Sequence, residues 1–156
     1  CERYAGFNLL VGDIAGELHY LGNRGPRLEH LQPGVYGLSN AMLDTPWPKV
    51  ARGKSDMALA LTALPLAAPL FELLRNERIH DDEQLPRTGI SLEWERVLSA
   101  AFVRAPHYGT RCSTILICDR NGRLSFDEQS YRPNTSPPLV TSRRRFRFKL
   151  AASAAS

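Results

Sequence analysis

Trp47 stands between Pro46 and Pro48, and this triplet divides the chain into two stretches of different pattern. A proline ring fixes φ and removes a backbone donor, so neither a helix interior nor a central strand can run through Leu43 to Lys49. The segment is expected to be a rigid, extended loop carrying one large aromatic. Before it the pattern is that of strands. Residues 6–12 and 17–21 flank Asp13-Ile14-Ala15-Gly16 and read as a hairpin with a four-residue loop. A third short strand is expected near 27–31, and a fourth over Val35 to Asn40, after the Gln32-Pro33-Gly34 turn.

From Val50 the pattern becomes helical. Ser55 and Asp56 suit the start of a helix running to about Leu64, where Pro65 ends or kinks it. A second helix is expected from Ala67 to Arg75, with Pro69 in its first turn and Leu70, Leu73 and Leu74 on one face. After a polar loop over 76–88, Ser91 suits the cap of a third helix from Leu92 to about Arg104. Its stripe would be Trp94, Val97, Leu98, Ala101 and Phe102. Strands return at 113–118 and 123–128, joined through Asn121-Gly122, a strong hairpin signal. The last strand is expected over 143–150, and residues 151–156 read as a disordered tail. The fold class is therefore α+β, with 1–150 forming part of a single domain.

With 156 residues, 43% of them hydrophobic, the chain is long enough for one buried core. No stretch supplies the ~18 uninterrupted apolar residues of a membrane-spanning helix, because Pro65, Pro69 and Glu72 interrupt the best candidate, Met57 to Leu74. Cys1-Glu2-Arg3-Tyr4 lacks the order of a signal peptide, which makes the cytoplasm the expected location.

The net charge of +4 raises the question of nucleic acid. Arg143, Arg144, Arg145, Arg147 and Lys149 account for it, since removing these five from the 20 basic residues leaves 15 against 16 acids. The body is neutral, and interleaved Phe146 and Phe148 mark a half-buried strand with a solvated basic face. No nucleic-acid partner is expected.

Cys112 and Cys118 lie six positions apart in a strand, on one face but about 20 Å apart, beyond disulfide reach. They read as reduced core thiols. With no CxxC and no histidine pair at ligand spacing, neither a metal nor another cofactor is expected. Cys1 next to an α-amine would suit an N-terminal nucleophile, against the plainer reading that it only begins this sequence.

Four segments join tight-turn residues to polar groups: Asn23-Arg24-Gly25, Gly37 to Asn40, Asp44 to Lys49, and Tyr108 to Thr114. At a strand end, Asn40 suits a donor to a developing oxyanion, and Arg111 at a strand start suits a carboxylate clamp. The competing readings are an Asx-turn for Asn40 and a surface ion pair for Arg111, and spacing alone favours these. Trp47 is either a ligand-facing wall or a plug over a sheet edge. Asn23 and Trp47 are the candidate ligand contacts.

Taken together, Tyr4 to Asp13, Gly34 to Val50 and Tyr108 to Thr114 resemble the NRDE family, also called the transport and Golgi organisation 2 family. The Glu93-Trp94-Glu95-Arg96 segment and the closing Arg-Phe-Arg-Phe strand fit it too. The resemblance is to the second half of that family, and the Asn-Arg-Asp-Glu motif that names it has no counterpart here. It implies an αββα sandwich of mainly antiparallel sheets, like that of N-terminal nucleophile hydrolases, whose N-terminal half and nucleophile lie outside this sequence. Asn40 resembles the oxyanion asparagine of such hydrolases, and Arg111 their late active-site arginine.

Two functions follow as expectations. One is hydrolysis of an amide-type small molecule with a cysteine supplied from elsewhere. The other is non-catalytic trafficking of haem or an acyl ligand, lipid or acyl-CoA. The chain lacks a Cys-Pro pair and a Cys-X-X-Cys-His site, so any haem would be held non-covalently.

Overall fold

The computed structural model describes residues 4–13, 17–25, 28–132 and 135–150. Cys1, the hairpin loop residues 14–16, Pro26 and the tail 151–156 lie outside the described residues.

The first sheet is antiparallel, with β1 (Asn8–Gly12), β2 (Leu18–Gly22) and the two-residue β3 (Glu29–His30) in that order. Its hairpin pairs Asn8 with Gly22 and Leu10 with Tyr20, as the flanking apolar runs predict. The expected fourth strand over Val35 to Asn40 does not form. Gly37 instead bonds in both directions with Asp44, so this stretch closes a loop rather than pairing with a strand.

Helix α1 (Pro48–Leu61) begins seven positions before the expected Ser55, with Trp47 at the N-cap and Pro48 at the first helical position. Proline is well suited there, because its missing N–H would have no partner in the first turn. The hydroxyl of Ser55 bonds back to Ala51 O in mid-helix, where no cap is needed. Helix α2 (Ala68–Leu74) matches the expected second helix and has Pro69 in its first turn. A 3-10 turn, Asp82–Gln84, interrupts the polar loop that follows.

Helix α3 (Leu92–Leu98) starts as expected, with Ser91 Oγ accepting from Trp94 N, but stops well short of Arg104. Ser99 ends it. Its backbone N–H and its hydroxyl both bond to Arg96 O, and Phe102 N then reaches Asn76 O, drawing the chain out of the helix. The expected stripe is corrected with it: Trp94 is 43% exposed and Glu95 is 7% exposed. A two-residue pair, β4 (Arg104–Ala105) with β5 (Tyr108–Gly109), follows.

The second sheet has order β6 (Cys112–Cys118), β7 (Arg123–Tyr131), β8 (Val140–Lys149), all antiparallel. Gly122 takes φ 70° in the β6–β7 turn, the left-handed conformation that the Asn-Gly signal foretells. Ile115 packs with Ala60, Leu70 and Phe71, so α1 and α2 cover one face of this sheet. The register places Leu116, Phe126 and Phe146 on the opposite face, where Leu116 is 62% and Phe146 49% exposed. Cys112 and Cys118 share that open face. They are free and exposed, not core thiols, because period-two alternation puts Ser113 and Ile115 toward the helices instead. No helix is long and apolar enough to cross a membrane among the described residues.

Candidate functional site

Gly37 and Asp44 close a loop that carries Asn40. Gly37 N–H donates to Asp44 Oδ1 at 2.7 Å, and Asp44 N–H donates to Gly37 O at 2.8 Å. Asp44 takes φ 55°, which aspartate tolerates better than most residues. Lys54 of α1 pairs with its Oδ2 at 2.8 Å. Burial alone would raise the Asp44 carboxyl, but the hydrogen bonds from Lys54 and Gly37 and the charge of Lys54 outweigh it. Its pKa therefore lies below the ordinary carboxylate value. A Cβ at Gly37 would lie 2.6 Å from Val50 Cγ1, so the loop rests directly on the first turns of α1.

The first sheet holds this loop from its other side. Tyr20, 1% exposed, donates its phenol to Asn8 Oδ1 at 2.7 Å and accepts from Leu43 N at 3.3 Å. The Asn8 amide donates to Ser39 O at 3.4 Å and to Ala41 O at 2.9 Å. Both neighbours of Asn40 are thus tied to β1 through their carbonyls. The Asn40 side chain itself is exposed and makes no hydrogen bond among the described residues.

Asn40 lines a cavity of about 240 Å³ together with Trp47, Lys49, Thr88 and Glu95. Pro48, Pro86, Ile90 and Leu98 supply apolar wall. Glu95 Oε1 accepts from both Thr88 N and Thr88 Oγ1 at 2.7 Å, while its other oxygen has no protein donor among the described residues. Lys49 Nζ donates to Leu98 O at 2.8 Å and lies 5.7 Å from the Trp47 ring centroid. It satisfies a carbonyl that the end of α3 would leave open. Burial lowers the Lys49 pKa. The cavity therefore offers an amide donor, a buried carboxylate, an ammonium and an indole wall, a set suited to holding a small polar molecule by its carbonyl end.

A second cavity, of about 530 Å³, lies between residues 36–39, the helices and β6. Val50, Met57, Leu70, Leu74 and Ile115 make it mostly apolar, and Lys49 lines both cavities.

Of the residues singled out in the sequence, Asn40 and Trp47 meet at one cavity, and Asn23 and Arg111 line neither. Asn23 spends its side chain on the backbone: Oδ1 accepts from Phe7 N at 2.8 Å and Nδ2 donates to Ala5 O at 3.0 Å. Arg111 is exposed at the start of β6, with its carbonyl accepting from Tyr131 N at 2.9 Å. Sequence reasoning missed Asn8, Tyr20, Lys49 and Glu95. Lys49 carried one usable signal, since a cation in the first turn of a helix opposes the helix dipole and so points to a partner elsewhere. Cys112 and Cys118 line neither cavity. No group of three or more His, Cys, Asp or Glu residues is placed to hold a metal ion among the described residues.

The comparison with known proteins agrees with the resemblance drawn from the sequence. The family model described as "Transport and Golgi organisation 2" matches residues 1–133. The chain is 37% identical over 164 residues to the Transport and Golgi organization protein 2 homolog of Bos taurus, covering 94% of this chain and 58% of that protein. It is 40% identical over 145 residues to the Homo sapiens homolog, covering 81% of this chain and 51% of that protein. With the Drosophila melanogaster protein it shares 29% identity over 146 residues, 83% of this chain and 50% of that one. The chain thus spans about half the length of the curated relatives it matches. It belongs to the Transport and Golgi organisation 2 family.

Proposed function

We propose that this chain supplies the ligand-holding wall of an N-terminal nucleophile hydrolase-like domain acting on an amide-type small molecule, with Asn40 donating to the carbonyl oxygen. The observation that carries the reading is the double tie from Asn8 to Ser39 O and Ala41 O, which fixes the backbone around Asn40 and leaves its amide free. A donor held in place before the ligand arrives loses little entropy and stabilises developing negative charge without reorganisation. In this reading the nucleophile comes from residues outside those described. The αββα architecture has support in the second sheet, whose helix-free face exposes Leu116, Phe146 and Phe148 and would be covered by another sheet. A cytoplasmic location has support in Cys112 and Cys118, both unpaired and exposed.

The second cavity favours an alternative, a carrier for an acyl ligand. Its apolar walls suit an alkyl chain, which supports an acyl compound as the ligand.

One experiment separates the two. The protein expressed from its complete reading frame, wild type and Asn40→Ala, is assayed for hydrolysis of N-acyl substrates and for binding of acyl-CoA and haem. Under the hydrolase reading the rate falls by roughly 10²-fold. Under the carrier reading affinity changes by only about 1 kcal/mol and there is no turnover to lose. An Asn40→Ala protein unchanged in both overturns the role given to Asn40.

A further inference from the structure

On the far side of the Pro46-Trp47-Pro48 segment, Arg52, Arg78, His80 and Gln84 line a surface cavity of about 510 Å³ with Pro46 and Pro48. We propose that this cavity binds a small molecule through a phosphate monoester group.

Three basic side chains from separate stretches, α1, the loop after α2 and the residues leading into the 3-10 turn, converge here. Arg52 is partly engaged, since its Nε lies 2.9 Å from both oxygens of Asp56, but its two terminal nitrogens have no partner among the described residues. The Arg78 guanidinium likewise makes no hydrogen bond or ion pair among the described residues, although its backbone N–H donates to Asn76 Oδ1. His80 uses its backbone N–H on Ser99 Oγ at 3.0 Å and leaves both ring nitrogens without a hydrogen-bond partner among the described residues.

The local acids offset part of this charge without occupying all of its donors. Asp56 belongs to Arg52, and Asp82 is bound by Arg96, whose Nη2 lies 2.6 Å from Oδ2. Asp81 stands beside the imidazole, and Glu83 lies in the 3-10 turn next to Gln84. Burial, Arg78 and Arg52 lower the His80 pKa, and Asp81 opposes them. Burial is the largest of these causes, so what the cavity offers an arriving anion is the uncommitted Arg78 guanidinium and the terminal nitrogens of Arg52.

The arrangement selects the kind of anion. A planar carboxylate is satisfied by one guanidinium fork, whereas two forks, an imidazole and a side-chain amide approaching from different elements suit the three oxygens of a tetrahedral dianion. Pro46 and Pro48 give the esterified remainder an apolar surface. Pro48 is the only residue shared with the cavity at Asn40, so this inference does not depend on the role proposed for that residue.

The test uses the protein expressed from its complete reading frame. The His80 ring is followed by NMR through a pH titration with and without glycerol phosphate, with glycerol and sulfate as controls. Bound phosphate is expected to raise the His80 pKa by about one unit, the scale of an opposite charge a few ångströms away. Arg78→Ala, an exposed position whose loss leaves the fold intact, is expected to weaken glycerol phosphate binding roughly tenfold and to shrink that rise. The proposal is overturned by an unmoved His80 pKa, by an equal response to sulfate, or by Arg78→Ala binding as tightly as wild type. Affinity confined to vesicles containing phosphatidic acid overturns it too, since that headgroup is the same phosphate monoester and binding only on a membrane reports a lipid surface and not a small-molecule site.

Discussion

The phenol of Tyr20 donates to Asn8 Oδ1 at 2.7 Å inside the first sheet, and this bond orients an amide whose two N–H groups hold the loop on both sides of Asn40. Gly22 makes room for it. A Cβ at that position would sit 2.7 Å from the Tyr20 hydroxyl, so the residue opposite Asn8 in the hairpin has to be the smallest one. Tyr20→Phe removes the donor and leaves Asn8 Oδ1 and Leu43 N without it. The expected cost is about 1–3 kcal/mol, read as a lower urea midpoint with an unchanged slope.

Asn8→Ala and Asn40→Ala are expected to separate positioning from contact. Asn40 is exposed and makes no hydrogen bond among the described residues, so Asn40→Ala leaves stability within about 0.5 kcal/mol. Asn8→Ala releases Ser39 O, Ala41 O and the Tyr20 phenol together, and lowers stability by about 2 kcal/mol or more. Equal urea midpoints for the two variants would show that the tie to the loop carries no stability.

Gly37→Ala tests the seat of the loop on α1. The new Cβ would lie 2.6 Å from Val50 Cγ1, and Val50 is only 7% exposed, so neither partner can move away freely. Overpacking of this kind costs typically about 1–3 kcal/mol. Thermal unfolding that matches wild type would contradict so tight a contact.

Acid stability is expected to follow Asp127 and Asp44. Asp127, 4% exposed on β7, receives Arg145 Nε at one oxygen and Arg147 Nη1 at the other, the latter at 3.1 Å. Burial would raise its carboxyl, but the hydrogen bonds and charges of the two arginines prevail and hold it below the ordinary value of 3.8. A carboxyl whose folded pKa is depressed adds stability that is complete above its unfolded pKa and is lost as pH falls through the folded one. Urea midpoints are therefore expected to be flat with respect to these groups above about pH 5 and to drop steeply below about pH 4. Asp127→Asn is expected to remove part of that drop, and an identical acid profile in the variant would exclude Asp127 as its source.

The thiols give a direct check on the open sheet face. Cys112 and Cys118 are expected to react with a thiol reagent in the folded protein at rates near those of a free cysteine, because both are exposed on β6. Protection of both until unfolding would mean that another surface covers this face.

Where structure depends on near neighbours, the sequence was sufficient. The β1–β2 and β6–β7 hairpins, the Ser91 cap, Pro69 in the first turn of α2 and the stop before Pro65 all follow from turn chemistry, proline geometry and periodicity, which act over a few residues. The family, too, was legible in short segments. Tertiary structure decided the rest. Val35 to Asn40 is extended in pattern, yet becomes a loop because Asp44 offers Gly37 a partner that no strand supplies. Pro48 opens a helix instead of only stiffening a loop, because Lys49 finds the end of α3 49 positions away. Glu95 is buried and Trp94 exposed, against their usual preferences, because Thr88 satisfies the carboxylate. Asn8 meets the Asn40 loop across 31 and 33 positions. A polar side chain can be buried or aimed only once its partners are in place, and those partners come together through packing that no local pattern encodes.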